Sequence, residues 1–162
     1  MYLSTYESGL DDKRRMTIPA AFRAVLRDKS HDGVLIWKSF RGAYLEGAGM
    51  DYILKIKSAL DELDPYDDAR EAFETAIFGG SRQFTLDSAG RFVLPEDFCA
   101  HAGLTERAVI VGVGDSFQIW SPEAYQERER SAREAANQNR AKLVRAHTNG
   151  NGNGNGKAEL VR

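Results

Sequence analysis

The chain is poor in the residues that build metal and disulfide frameworks. Its single cysteine, Cys99, excludes an intrachain disulfide network and a four-cysteine zinc site, and its apolar surroundings point to a buried, inert thiol. The three histidines, His31, His101 and His147, form no pair with metal-ligand spacing. No segment approaches the roughly 20 apolar residues that cross a bilayer. The first residues lack a basic stretch followed by an apolar run, so no secretory signal is expected and a cytoplasmic protein is. Neither sign of charge dominates: 22 Lys and Arg stand against 24 Asp and Glu, net −2. Bulk charge therefore does not draw the chain to nucleic acid, and any such binding must come from a local patch. Catalytic patterns are missing too. Ser116 lies in no nucleophile elbow, and Gly112-Val113-Gly114 lacks the third glycine and following helix of a dinucleotide fingerprint. Asp11-Asp12, Asp67-Asp68 and Glu96-Asp97 read better as turn and helix-start acids than as general acid–base pairs. No enzyme activity, cofactor or metal is expected.

What is present is a duplication. Leu10-Asp11-Asp12-Lys13-Arg14-Arg15-Met16-Thr17-Ile18-Pro19, with Phe22, returns 76 positions later as Leu86-Asp87-Ser88-Ala89-Gly90-Arg91-Phe92-Val93-Leu94-Pro95, with Phe98. Five identities hold the register, among them Asp11/Asp87, Arg15/Arg91 and Pro19/Pro95. A repeat of this kind governs the architecture and is read before local elements.

In chain order, alternation predicts a strand over 1–10 and another at Met16–Ile18. Pro19 opens a short helix to about Arg27, presenting Phe22, Val25 and Leu26 on one face. After the His31-Asp32-Gly33 break, Val34–Trp37 and Ala43–Leu45 read as a hairpin, and Met50–Leu63 as an amphipathic helix. Asp64-Pro65 is expected to cap a helix that runs to about Phe78 and ends at Gly79-Gly80. Seven carboxylates between Asp61 and Glu74 make this a solvated acidic face. The second copy repeats the plan, with a helix from Pro95 to Gly103 and a hairpin across Gly114-Asp115. Ser121-Pro122-Glu123 starts a helix expected to reach about His147, whose last part carries Arg140, Lys142 and Arg145. Tandem Asn-Gly pairs over 149–156 read as a flexible tail. Trp37, Tyr44, Phe117 and Trp120 fall on the hairpins, where they either fill the core and subunit contacts or stack bases.

The repeated loop has a chemistry of its own. An aspartate opening a turn accepts hydrogen bonds from the backbone two residues on, and its charge holds an arginine four residues later. Glycine before that arginine, as at Gly90, allows a left-handed backbone. The result is a pre-oriented guanidinium at a strand entrance, suited to phosphate or to the O6/N7 edge of guanine. The simpler alternative is an Asp–Arg staple across a hairpin, and duplication alone does not decide between them.

Leu10-Asp11-Asp12-Lys13-Arg14-Arg15 with Ile18-Pro19-Ala20-Ala21-Phe22-Arg23 resembles the first motif of the MraZ family of bacterial transcriptional regulators. Leu86–Arg91 resembles that family's second motif, and the run Val111 to Glu123 is the most family-like in the chain. The resemblance covers about residues 1–140. It implies an α+β fold containing a β-barrel of the AbrB-like swapped-hairpin type, built from two tandem repeats with peripheral helices. The corresponding divisions are 1–76, 77–147 and a tail over 148–162. It further implies rings of identical subunits and binding to double-stranded DNA at short G-rich direct repeats. The target would be the promoter of the division and cell-wall gene cluster, including its own, and the usual outcome repression at the nucleoid. Carried onto this sequence, Arg15 and Arg91 would contact DNA with Lys13 assisting, while Asp11 and Asp87 orient them and Gly90 shapes the second loop. Two positions depart from the pattern. Arg14 stands where glycine is usual, which adds a phosphate-seeking charge at a cost of about 1–2 kcal/mol if the site demands positive φ. Ala89 stands where lysine is usual, so unequal loops are expected, the first making more of the electrostatic contact. A ring of weak modules on repeated sites would gain affinity by avidity. The alternative is a ring-forming protein-interaction scaffold.

Overall fold

The computed structural model describes residues 1–27 and 33–150. His31 and Asp32 of the break before Val34, and most of the Asn-Gly tail, lie outside the described residues. Two compact units divide the chain, Met1–Tyr125 and Gln126–Arg162.

The first unit is α+β. Its strands are β1 (Thr5–Gly9), β2 (Arg15–Thr17), β3 (Val34–Lys38), β4 (Leu45–Ala48), β5 (Arg82–Phe84), β6 (Arg91–Val93), β7 (Arg107–Gly112) and β8 (Phe117–Trp120). Six of them form an antiparallel sheet in the order β1-β7-β8-β4-β3-β5, and β2 pairs with β6. The order is a palindrome between the copies. Strand β1 of the first copy pairs with β7 of the second, β5 of the second pairs with β3 of the first, and the hairpins β3–β4 and β7–β8 meet at the centre. Among the described residues no ladder joins β1 to β5, so the sheet's hydrogen bonds do not close it into a barrel.

The helices follow local signals. Helix α1 (Ala20–Arg27) starts after Pro19 and buries Phe22 and Leu26, with Val25 packed at the core's edge. Helix α4 (Glu96–Ala102) starts after Pro95, and Gly103 ends it in a left-handed conformation with φ 62°. Helix α2 spans Met50–Asp61. The expected cap at Asp64 is displaced. Asp64 instead closes a turn by accepting the Tyr66 N–H at 2.8 Å, and Asp67 caps α3 (Asp68–Phe73) by accepting the Ala69 N–H at 2.8 Å. Glu74–Gly79 continues as a π-helical turn with Ile77 buried. The N-terminal segment is not one strand, because Ser4 takes φ 75° and separates β1 from a lone bridge between Tyr2 and Gly114.

Tyr2, Phe22 and Phe117 form an aromatic centre, with ring centroids 5.2–5.5 Å apart. A Cβ on Gly47 would collide with the Phe117 ring, so glycine is what lets β4 pass beneath it. Trp37, Tyr44, Phe117 and Trp120 are all buried, and Tyr44 stacks on Trp120 at 4.2 Å. They fill the interior, which leaves the base-stacking alternative without a platform.

Helix α5 (Pro122–Gln138) begins where the Ser121 hydroxyl accepts the Ala124 N–H at 3.2 Å. The long helix expected to reach His147 is interrupted at Asn139, and α6 (Arg140–Gly150) follows. Within the second unit, Arg130 bridges Glu127 and Glu134, while Arg140, Lys142 and Arg145 are exposed.

Candidate nucleic-acid interface

The two repeated loops are built alike, atom for atom. In the first, Asp11 Oδ1 accepts the backbone N–H groups of Lys13 and Arg15 at 3.0 and 2.8 Å, and Oδ2 accepts Arg15 Nε at 2.7 Å. In the second, Asp87 Oδ1 accepts Ala89 N–H and Arg91 N–H at 3.0 and 2.8 Å, and Oδ2 accepts Arg91 Nε at 2.9 Å. Backbone bonds from Arg14 N–H to the Asp11 carbonyl and from Gly90 N–H to the Asp87 carbonyl, each 2.9 Å, close the turns. The arginine backbone N–H groups, with the guanidiniums assisting, hold both carboxyls below the ordinary aspartate value of 3.8.

Positive φ at the fourth loop position is shared. Gly90 has φ 81° and Arg14 has φ 59°, so the first loop carries a side chain where the second does without. The Arg14 Nε donates to the Leu94 carbonyl at 3.1 Å, which holds this side chain against the other copy. Lys13 is exposed and has no ion-pair partner among the described residues.

The pairing of β2 with β6 decides where the arginines go. Arg15 stands opposite Val93, Met16 opposite Phe92 and Thr17 opposite Arg91. The bonds from Ile18 N–H to the Gly90 carbonyl and from Leu94 N–H to the Arg14 carbonyl, both 2.9 Å, extend this two-fold pattern. Because side chains alternate along a strand, Met16 and Phe92 turn into the core while Arg15, Thr17, Arg91 and Val93 share the outer face. Arg15 and Arg91 are thus diagonal neighbours, about 7–8 Å apart by ladder geometry. Their side chains are 46% and 54% exposed, and each binds its aspartate through Nε, which leaves its terminal amino groups free of that carboxylate.

Other candidates fall away from this face. Cys99 is buried, and burial raises its thiol pKa. The His101 ring meets the Gly42 carbonyl at 3.0 Å at the end of α4. Among the described residues no cluster of three or more His, Cys, Asp or Glu side chains could hold a metal, and no helix is long and apolar enough to cross a membrane. Sequence reasoning did not single out Arg23, whose side chain from α1 lies over Gly90. The signal was in the duplication itself, since the counterpart of Arg23 is Cys99 and that of Arg14 is Gly90.

The interlocked α+β unit is an internally duplicated fold whose twin loops present two arginines on one face. Residues 77–146 match the family described as "MraZ protein, putative antitoxin-like". A protein named Transcriptional regulator MraZ from Rickettsia akari (strain Hartford) is 40% identical over 147 residues, covering 91% of this chain and 99% of its own length. Those of Rickettsia canadensis (strain McKiel) and Rickettsia rickettsii (strain Sheila Smith) are 40% and 39% identical over the same share. The chain belongs to the MraZ family.

Proposed function

We propose that this protein is a sequence-specific DNA-binding transcriptional regulator that reads duplex DNA through its two Asp-to-Arg loops. The observation that carries the reading is the common exposed face of Arg15 and Arg91, each held by a turn-closing aspartate with its terminal amino groups unpaired by that carboxylate. Paired forks at this spacing suit adjacent guanine edges or phosphates. Lys13 and Arg14 add charge around the first loop, and Gly90 gives the second its turn. The exchanged strands and the β2–β6 loop pair are read as the AbrB-like swapped-hairpin core, with repeats over 1–76 and 77–147 and a tail over 148–162.

One protomer offers only a few cations in its loops, against a net charge of −2, so the module is read as one unit of a homo-oligomeric ring on repeated G-rich sites. Its target would be the division and cell-wall gene cluster and its own promoter, with repression the outcome and the bacterial cytoplasm, at the nucleoid, the place of action. No catalysis or cofactor enters this reading.

The test is binding of wild type and the Arg15→Ala/Arg91→Ala double variant to DNA upstream of the protein's own gene, at two salt concentrations. Wild type should bind, lose affinity steeply with salt and prefer the repeats, and the double variant should fail while keeping its oligomeric size. Equal binding by both proteins would reduce the loops to staples. No binding by either would favour the protein-interaction scaffold.

A further inference from the structure

The copies differ at two positions that meet in space. In register, Arg14 corresponds to Gly90 and Arg23 to Cys99. Because the copies interlock, the loop position of each copy meets the helix position of the other, Arg14 beside Cys99 and Gly90 beneath Arg23. Arg14 Nε donates to the Leu94 carbonyl at 3.1 Å, and Cys99 Sγ lies 4.0 Å from the same oxygen. At the two-fold-related place the sizes are reversed. Arg23 runs over Gly90, where a Cβ would meet Arg23 Cδ, Nε and Cζ at 2.5, 2.6 and 2.9 Å. Each loop therefore has one guanidinium at this place, supplied by the loop itself in the first copy and by the opposite copy's helix in the second.

Arg23 is poorly satisfied among the described residues. There its Nε is buried with no hydrogen-bond partner, and Nη1 has a long contact, 3.5 Å, to the Ser88 carbonyl. Beside it a cavity of about 330 Å³ opens between Arg23, Arg27 and the Asp87-Ser88 edge of the second loop. The Asp87 carboxylate in this wall is already occupied by Arg91. Among the described residues this guanidinium has one long contact for its five donors, and an oxyanion in the open cleft would supply acceptors to its terminal amino groups.

We infer that Arg23 is the cation of the second loop, delivered from the opposite copy to contact a phosphate of the DNA backbone beside Arg91. This rests on the DNA-reading proposal above. A half-buried position against the Ser88–Gly90 backbone, next to Arg91, suits backbone contact better than base readout. The assignment evens out the loops. The first carries three cations and two carboxylates, the second one of each, and Arg23 brings both to a formal +1.

The experiment measures binding to DNA upstream of the protein's own gene across a salt series for wild type, Arg23→Gln, Arg23→Lys and Arg23→Gln/Ala89→Lys. Loss of one phosphate contact lowers the slope of log affinity against log salt by about 0.9 for each engaged protomer. Arg23→Gln should show that drop and weaken repeat and non-repeat DNA alike, and Arg23→Lys should keep the wild-type slope. Ala89→Lys, which returns a cation to the second loop without rebuilding the Arg23 packing, should restore it. An unchanged slope in Arg23→Gln overturns the inference. So does a drop that Ala89→Lys fails to restore and that tracks a fall in thermal stability, since Arg23 would then act only through packing. If wild type binds no DNA, the DNA-reading proposal fails first and the Arg23 assignment falls with it. If wild type binds and the Arg15/Arg91 double variant does not, an unchanged Arg23→Gln slope refutes this inference alone.

Discussion

Gly90→Ala tests both the backbone of the second loop and the group lying over it. Gly90 has φ 81°, and placing an L side chain in that region costs about 1–2 kcal/mol. The new Cβ would also meet the Arg23 side chain at 2.5–2.9 Å, so that stem must swing away. Gly103 separates the two effects. Its φ is 62°, but a Cβ there meets nothing within 4 Å, so Gly103→Ala reports backbone strain alone. Gly103→Ala should lose about 1–2 kcal/mol, which for a unit of this size lowers the melting temperature by about 3–10 °C. Gly90→Ala should lose more, the excess being the displacement of Arg23. In a double-mutant cycle that excess should vanish on an Arg23→Ala background, leaving the two glycine variants alike. Thermal unfolding followed by circular dichroism reads all four proteins. A Gly90→Ala protein as stable as wild type would refute the left-handed turn, and strict additivity with Arg23→Ala would refute the contact.

Arg14→Gly removes a left-handed strain of about 1–2 kcal/mol and one hydrogen bond worth about 0.5–1.5 kcal/mol. Its stability should stay within about 1 kcal/mol of wild type, while its DNA salt slope falls. A fixed slope would show that Arg14 reaches no phosphate. Phe117→Ala empties the aromatic centre, where the ring is fully buried against Tyr2 and Phe22. It should cost about 3–5 kcal/mol by urea denaturation, and a loss under about 1 kcal/mol would contradict the packing. The folded pKa values of Asp11 and Asp87 are depressed, so the stabilisation they give is fully present above the unfolded value of 3.8 and is lost as pH falls through the folded ones. The Arg15 and Arg91 Nε–H resonances should therefore hold their positions from neutral pH down to that range and move only below it. Movement at higher pH would show that the loops open by another route.

Local signals carried much of this structure in the sequence. Prolines at Pro19 and Pro95 mark helix starts, Gly103 marks a helix end, and the 76-residue register marks both loops down to their hydrogen bonds. Where two similar residues compete for one task, the sequence is silent. Asp64 and Asp67 are both capable caps, and the turn closed by Asp64 leaves the helix start to Asp67. Alternation gives β1 a buried face but not a partner, because any strand with a complementary apolar face would serve. Its pairing with β7 is a property of the whole chain. The exchange of Arg23 for Arg14 was hidden for the same reason, since it links positions that touch only once the copies interlock.

The crossed pairing of β1 also sets a timetable for synthesis. Thr5 aligns with Val111 and Gly9 with Arg107, so the first strand to leave the ribosome has no partner until about a hundred more residues have followed. At roughly 5–20 residues per second that wait lasts about 5–20 s. Through it Tyr2 and Tyr6, whose rings later close on Phe22, have the α1 side of their pocket but not the β7 and β8 side. A nascent chain with a strand edge left unpaired for that long is the form of this protein most exposed to chaperones, and to pairing with a neighbouring copy on the same message.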